Sequence, residues 1–549
     1  LPSINKATWR ARLAAFAEAP ANKSLKGILR GLEKESLRIT PAGTLAQTGH
    51  PPGLGSALKH PHITTDYSEA LLEFITEPFD NIPALLQQLD DVHRFTYQEL
   101  AKTDERLWPS SMPSHLPADA DIPVARYGGS NSGTMKTIYR VGLGHRYGRS
   151  MQTIAGVHYN FSLPDDFWRE LQQQEGDKQD LQEFKTQRYF ALIRNFRRYF
   201  WLLVYLFGAA PAVSNSFVEG RKHRLKSFGD DLQTQHLPFA TSLRMGDLGY
   251  QSDAQQSLFV CYNNVNSYLR TLCGAITRPH PAYEEIGVKD EQGNYKQLNT
   301  SLLQIENEFY SSIRPKRTTH SGETALQALR LRGVEYIEVR CVDLNPYEPL
   351  GVSAEQLRVI DAFLLYCLLN DSPETPQAEY AEWLENQKRI VYFGRDPELQ
   401  LLRDGKTVGF KNWATEILDG ALACAKLLDQ SNGASDYANA IAEQYKKLDN
   451  PELTPSAQVL ADMKNQGKSF FEHTLALAEA HRQHFVSNPL TESDLEKFKA
   501  QANQSLQEQR ELEQSSQIPF DIYLAKYYQQ YQSCSCESPE APEKQNAPC

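Results

Sequence analysis

Carboxylates set inside apolar, strand-like segments far apart in this chain are the residues best placed to do chemistry. The run Leu29-Arg30-Gly31-Leu32-Glu33-Lys34-Glu35-Ser36-Leu37-Arg38-Ile39 puts Glu33 and Glu35 two residues apart, which in a strand projects both to one face. That face also carries Leu29, Leu37 and Ile39, so an uncompensated carboxylate on it meets a heavy desolvation cost. Asp66 and Glu73 follow in Thr64-Thr65-Asp66-Tyr67-Ser68-Glu69-Ala70-Leu71-Leu72-Glu73-Phe74-Ile75, and Glu338 with Arg340 in Val334-Glu335-Tyr336-Ile337-Glu338-Val339-Arg340-Cys341-Val342. Carboxylates gathered on one face repel by roughly 4 kcal/mol per pair at about 4 Å where the effective dielectric is near 20. A fold that gathers them needs cations, and several oxygen ligands with little sulfur or imidazole suit magnesium or manganese. The chemistry expected is that of an enzyme handling a magnesium nucleotide. Each residue also has a plainer reading: a surface strand can carry two glutamates, and Glu338 beside Arg340 can be a structural ion pair.

The elements that must position these groups follow from periodicity. Residues 1–26 read as helix ended by Pro20, and 27–40 and 63–76 as strand-like pieces. The Asp66–Glu73 segment stays open: as a strand, Leu71, Glu73 and Ile75 share a face, and as a helix, Asp66, Glu69 and Glu73 do. Residues 81–104 form an amphipathic pattern, 108–123 a loop, and Tyr127-Gly128-Gly129-Ser130-Asn131-Ser132-Gly133 a loop able to approach a ligand closely. In Ile154–Leu163, Val157, Tyr159, Phe161 and Leu163 share one strand face and His158, Asn160 and Ser162 the other, the pattern of a sheet with a buried side and a working side. His158 alone reads as a core histidine; beside Asn160 it becomes a candidate ligand. Helices are expected at 187–210, 253–275 and 355–370, with Ser353 and Gln356 as a capping box. Tyr310-Ser311-Ser312-Ile313-Arg314-Pro315-Lys316-Arg317 offers three basic residues as a phosphate clamp.

Beyond about residue 375 the chain turns Ala-, Glu-, Gln- and Lys-rich, with helices expected at 410–450, 454–482 and 493–515, the last opened by a Ser493–Glu496 capping box. The expected organisation is a catalytic body over 1–375, a helical extension over 376–532 packed on it, and a mobile tail over 533–549. With 549 residues and a formal net charge of -11, a nucleic-acid partner is disfavoured. The N-terminal residues carry no signal-peptide pattern, and the apolar run 200–210 has about half the length needed to cross a bilayer. Eight cysteines in so long a chain suit the reducing cytoplasm. There is no phosphate loop: Asp404-Gly405-Lys406-Thr407 comes near, but Gln400 stands at the first glycine position.

Four segments together carry a resemblance. Arg30-Gly31-Leu32-Glu33-Lys34-Glu35, Gln152-Thr153-Ile154-Ala155-Gly156-Val157-His158-Tyr159-Asn160-Phe161, Gln304-Ile305-Glu306-Asn307-Glu308 through Arg317, and Tyr336-Ile337-Glu338-Val339-Arg340 resemble the glutamate–cysteine ligases of the gammaproteobacterial type. The resemblance runs from about Leu25 to Val352 and continues more weakly beyond. It implies an α+β fold similar to glutamine synthetase, in which a curved, mainly antiparallel sheet shapes a funnel with helices outside. It implies that glutamate and cysteine are joined at the expense of ATP, the first step of glutathione synthesis, with a related ligase using another amine as the alternative.

Carried over by residue, the resemblance makes Glu33, Glu35, Asp66, Glu73, His158 and Glu338 metal ligands for Mg2+, with Mn2+ as a substitute. It places Tyr67, Tyr139, Gln152, Thr153, Arg244, Tyr250 and Tyr310 in the amino-acid pockets, and Arg140 and Arg340 at the ATP phosphates or the phosphorylated intermediate. Tyr67 departs from the phenylalanine of the family pattern and adds a hydroxyl near the cysteine pocket. The tail with Cys534, Cys536 and Cys549 lies outside that pattern. Feedback inhibition by glutathione, a monomeric state, and no nucleic-acid or membrane partner complete the expectations.

Overall fold

The computed structural model describes residues 6–249, 253–256, 258–516 and 518–532. Tyr250 and the tail 533–549 lie outside these described residues. The strands are β1 (Leu29–Ile39), β2 (Ile63–Thr65), β3 (Leu71–Ile75), β4 (Arg106–Leu107), β5 (Val157–Ser162), β6 (Ala212–Ser214), β7 (Lys226–Phe228), β8 (Asp231–His236), β9 (Ile313–Lys316), β10 (Tyr336–Val342), β11 (Gln400–Arg403) and β12 (Lys406–Gly409). Seven of them make one sheet in the order β2-β3-β1-β5-β10-β9, with β4 paired to the end of β1. Each of its pairings is antiparallel.

The expectation of one curved sheet shaping a funnel is corrected. The described strands divide among three sheets of seven, three and two strands, none of them closed, in a mixed α/β fold. The hollow over the large sheet is made by other elements. The helix Asn131–Tyr147, the short turn Ser150–Thr153 and the segment around Asn307–Tyr310 stand over its polar face and wall a pocket there.

Both faces of β1 are covered, which explains its nearly continuous burial. Behind it lies the helix Ala354–Leu369, whose Asp361 is fully buried and meets Arg30 Nε at 2.6 Å. Tyr159 donates to Asp361 Oδ1 at 2.6 Å and Tyr437 to Oδ2 at 3.1 Å. Two strands and two helices are thereby fixed by one charged network, the only arrangement in which burying these groups is tolerable. On the same side the Lys34 Nζ lies 2.7 Å from His93 Nε2, and burial pulls the lysine down to about 7.

The apolar run near 200 is the buried helix Trp201–Phe207, following Leu181–Tyr199. No helix among the described residues is long and apolar enough to cross a membrane. The expected stretch 410–450 divides into Phe410–Asn432 and Asp436–Asp449, and 454–482 into Pro455–Gln466 and Phe470–Ser487. The next helix, Glu492–Ser515, is capped by Thr491, which accepts from Asp494 N, and not by Ser493. Ser353 accepts from Gln356 N as expected. The near miss to a phosphate loop is the Asp404-Gly405 turn of the β11–β12 hairpin, with φ of 55° and 74° at the two central residues, a backbone that this dipeptide suits.

Candidate active site

Register gathers the site. Glu33 lies opposite His158, Glu35 opposite Glu73, Gly31 opposite Asn160, Asn160 opposite Glu338, and Glu338 opposite Arg314. Directly paired residues share a face, so a single face runs from Lys316 and Arg314 on β9, through Glu338 and Arg340 on β10 and His158 on β5, to Glu33 and Glu35 on β1 and Glu73 on β3. The open alternative at Glu73 resolves as strand, with Asp66 in the turn between β2 and β3.

His158 is the hub. Its Nδ1 lies 3.2 Å from Glu33 Oε2 and 3.8 Å from Glu338 Oε1, and its Nε2 lies 3.7 Å from Glu35 Oε1. Ligand atoms of Glu33, Glu73 and His158 all fall within 4.8 Å of one another. Asn160 donates to Glu33 Oε1 at 2.8 Å, and the Gly156 N–H to Glu35 Oε2 at 2.7 Å. Glu338 Oε2, His158 Nε2 and Asn160 Oδ1 are nevertheless buried without a hydrogen-bond partner. Unsatisfied acceptors among crowded carboxylates fit a hard divalent cation held by oxygen atoms and one imidazole.

The electrostatics divide along the face. Glu338 is met by Arg340 at 3.2 Å, Lys316 at 3.4 Å and Arg314 at 3.8 Å. Burial opposes ionisation there, but those cations hold its carboxyl well below the usual range. For Glu33, burial is likewise outweighed, by the hydrogen bond with His158, and its carboxyl is lowered. At the other end, burial and then Asp66 push Glu35 up to about 8. Burial and the charges of Glu33, Asp66 and Glu35 push Glu73 up further. Burial, with Arg340 next, lowers His158 and favours its neutral ring, the form that can bind a metal.

Beside the carboxylates is a pocket lined by Glu35, Asp66, Tyr67, Tyr139, Arg140, Gln152, Tyr310 and Arg340, with Leu143, Met151 and Ile154 as its apolar wall. Gln152 donates to the Tyr310 hydroxyl at 3.1 Å. Tyr67 is 1 % exposed and its hydroxyl has no hydrogen-bond partner. Arg140 donates to the Asp66 carbonyl and stacks on Tyr127, 4.5 Å from the ring centre.

Other residues singled out from the sequence are not among those lining this pocket. Thr153 spends its hydroxyl on the Ser150 carbonyl at 2.6 Å. Arg244 is fully buried, donates to the Arg340 carbonyl at 2.8 Å and lies 3.6 Å from Asp343. A side chain at Gly156 would meet its Nη2 at 2.0 Å, so this glycine makes room for the guanidinium. Of the basic trio, Arg314 and Lys316 face the site, while Arg317 turns to Glu335 and Gln182. The glycine loop does not approach this pocket. Gly129 N donates to Glu513 at 2.9 Å, a side chain at Gly128 would collide with Glu513 and Gln509, and Ser130 caps the helix Asn131–Tyr147.

Sequence reasoning passed over Asn307 and Glu308, which also line the pocket. Glu308 is fully buried and paired with Arg146 at 3.0 Å, and it accepts from Tyr147 at 2.8 Å. An acidic residue in an irregular stretch carries no periodic signal, whereas Arg314 and Lys316 stood out as part of a basic cluster.

Comparison with known proteins agrees with this geometry. The profile of the family described as glutamate-cysteine ligase matches residues 13–390. A glutamate–cysteine ligase of Saccharophagus degradans is 54% identical over 512 residues, covering 93% of this chain and 96% of its own. One of Alcanivorax borkumensis is 52% identical over 521 residues, covering 94% and 98%. Among solved structures, a glutamate–cysteine ligase of Francisella tularensis in complex with AMP superposes with a TM-score of 0.86 at 36% identity, covering 92% of this chain and 98% of that one. With 378 consecutive residues inside the family profile and relatives matched over nearly their whole length, the chain belongs to the glutamate–cysteine ligase family.

Proposed function

We propose a division of labour along the polar face for the reaction of this family. That reaction is the ATP- and magnesium-dependent joining of the γ-carboxylate of glutamate to the amine of cysteine, giving γ-glutamylcysteine, ADP and phosphate, the first step of glutathione biosynthesis. Glu33, Glu35, Asp66, Glu73, His158 and Glu338 are the proposed holders of Mg2+, with Mn2+ able to substitute. A divalent cation bound there would supply charge neutralisation for phosphate oxygens. The observation that carries the assignment is the asymmetry of charge. Three cations surround Glu338, while no lysine or arginine among the described residues forms an ion pair with Glu35 or Glu73.

A carboxylate is a poor electrophile, so an oxygen of glutamate's side chain first attacks the γ-phosphorus of ATP, forming γ-glutamyl phosphate and releasing ADP. Arg340 and Arg140 are proposed to stabilise the charge of the transferred phosphoryl group. Lys316 and Arg314 keep Glu338 ionised in place. The cysteine amine, having lost its proton, then attacks the acyl carbon, and the tetrahedral intermediate expels phosphate. Tyr67, Tyr139, Gln152 and Tyr310, with Thr153 and Tyr250, are the proposed amino-acid pocket, and Leu143, Met151 and Ile154 exclude water from it. Arg244 is proposed to grip a substrate carboxylate and, through its bond to the Arg340 carbonyl, to steady Arg340.

We further propose that the chain acts in the cytoplasm as a monomer, is inhibited by glutathione, and has no membrane partner and no nucleic-acid partner, the last supported by its net charge of -11. Residues 376–532 are proposed as a helical extension of a 1–375 catalytic body. The steady-state rate of ADP release with Mg2+, ATP and L-glutamate, compared across amines, tests the acceptor. L-Cysteine and its isostere 2-aminobutyrate are expected to be strongly preferred. Equal or faster turnover with glycine, alanine or ammonia would replace cysteine with another amine.

A further inference from the structure

Four arginines project from the helix Leu181–Tyr199, and three are engaged. Arg188 donates to the Leu368 carbonyl at 2.8 Å and lies 3.5 Å from Glu175. Arg194 donates to the carbonyls of Tyr262 and Asn263 at 3.2 and 2.8 Å, and Arg198 grips both oxygens of Glu379 and the Pro373 carbonyl. Arg197 differs. It is 5 % exposed, its Nε has no hydrogen-bond partner, and no carboxylate among the described residues pairs with it. The rings of Tyr262, Tyr380 and Trp383 surround its guanidinium at 5.3, 5.3 and 5.5 Å. Aromatic faces hold a cation without consuming its donors. A buried guanidinium kept this way is costly unless an anion completes it.

Arg197 borders a cavity of about 330 Å³, within the size range of small-molecule sites. Ser312 lines the same cavity; it is 6 % exposed and its hydroxyl also lacks a partner. Met245, Phe309 and Tyr380 give the cavity an apolar body. The acids on its walls are engaged elsewhere, Asp247 with Arg224 at 3.6 Å and Glu385 with Arg389 at 2.8 Å, so neither pairs with Arg197. One buried guanidinium beside a lone hydroxyl suits a carboxylate, and the two acids disfavour a dianionic phosphate. We propose that this cavity is a second ligand site, in which Arg197 and Ser312 hold the carboxylate of a small monoanionic organic acid.

The site is joined to the catalytic pocket. Tyr310 lines both cavities, and the carbonyl of Ser312 accepts from Arg340 N at 2.8 Å. Occupancy therefore bears on the amino-acid pocket through Tyr310 and on Arg340 through the β9 edge. The inference rests on no step of the ligation, and its test needs no turnover. Propionate is titrated into the full chain while the fluorescence of Trp383 is followed, as the difference from the Trp383→Phe variant, with isothermal titration calorimetry in parallel. Saturable binding is expected, weakened about tenfold or more by Arg197→Met, since a charge-assisted hydrogen bond contributes about 1.5–3 kcal/mol. It is expected to weaken severalfold in Ser312→Ala and to persist in Arg340→Met, with inorganic phosphate binding less tightly. Each variant is first checked by circular dichroism and thermal melting; if Arg197→Met misfolds, Ser312→Ala decides. Absence of saturation, undiminished binding in the folded variant, loss of binding in Arg340→Met, or tighter binding of phosphate would overturn the proposal.

Discussion

Glu35 and Glu73 stand directly opposite each other across the β1–β3 ladder, two buried carboxylates set among other acids. Both are pushed upward by burial first and by neighbouring acids next, Glu35 to about 8 and Glu73 beyond its usual range. An acid whose folded-state value is raised adds stability below its unfolded value near 4.5 and loses it as pH rises through the folded one. The metal-free protein is therefore expected to melt at progressively lower temperature from about pH 5 to 8, with Mg2+ reversing the trend. Metal affinity should rise with pH over that window, by about tenfold per unit for each proton released. Calorimetry in buffers of different ionisation enthalpy counts those protons. Binding without proton release would contradict the crowding.

Arg340 and Arg244 are coupled through a backbone carbonyl but should fail differently. Arg340→Ala is expected to lower kcat about a hundredfold, or about 2.7 kcal/mol, as one preorganised donor at a developing charge would. Arg244→Ala should act mainly on an amino-acid KM. Matching kinetic profiles for the two variants would show the roles to be misassigned.

Tyr67 presents a buried, unpartnered hydroxyl to the pocket. Tyr67→Phe is expected to raise the stability of the substrate-free protein by about 1 kcal/mol by removing an unsatisfied donor. The same change should raise the KM for cysteine about threefold to tenfold if the hydroxyl meets substrate. Thermal melting and steady-state kinetics separate these effects.

Asp361→Ala leaves Arg30 buried behind β1 without its carboxylate. A loss of about 3–5 kcal/mol is expected, the usual cost of breaking a buried pair. Chemical denaturation measures it. A loss below about 1 kcal/mol would mean that the Ile28 and Asp80 carbonyls and the Tyr437 hydroxyl satisfy Arg30 without Asp361.

Much of the site was legible because strands alternate. The period of two in β1, β5 and β10 placed Glu33, Glu35, His158, Asn160 and Glu338 before any partner was known, while Arg314 and Lys316 stood out only as part of a basic cluster. What stayed hidden depends on pairing across long separations. Nothing local tells that Arg244 sits behind Gly156, that Asp66 occupies a turn while Glu73 continues the strand, or that Thr153 turns its hydroxyl to Ser150. The glycine loop misled for the same reason: its small residues answer to Gln509 and Glu513, nearly four hundred positions later. The funnel expectation failed because helices and turns enclose the pocket, whereas strand alternation reports only the surface beneath them.

That clasp has a consequence for how the molecule is made. The helix Asn131–Tyr147, which carries Tyr139 and Arg140, is entered through Gly128 and Gly129, and these are held by Glu492–Ser515. Tyr528, in the helix Phe520–Gln532, donates to the Gln304 carbonyl at 2.9 Å, behind the segment that leads to Tyr310. On the ribosome the carboxylates of β1 and β3 emerge early, yet the walls that turn them into a pocket are secured by residues synthesised more than four hundred positions later. A nascent chain can align the carboxylates of β1 and β3 long before it can wall a pocket over them, so the finished pocket waits for Glu513 and Tyr528.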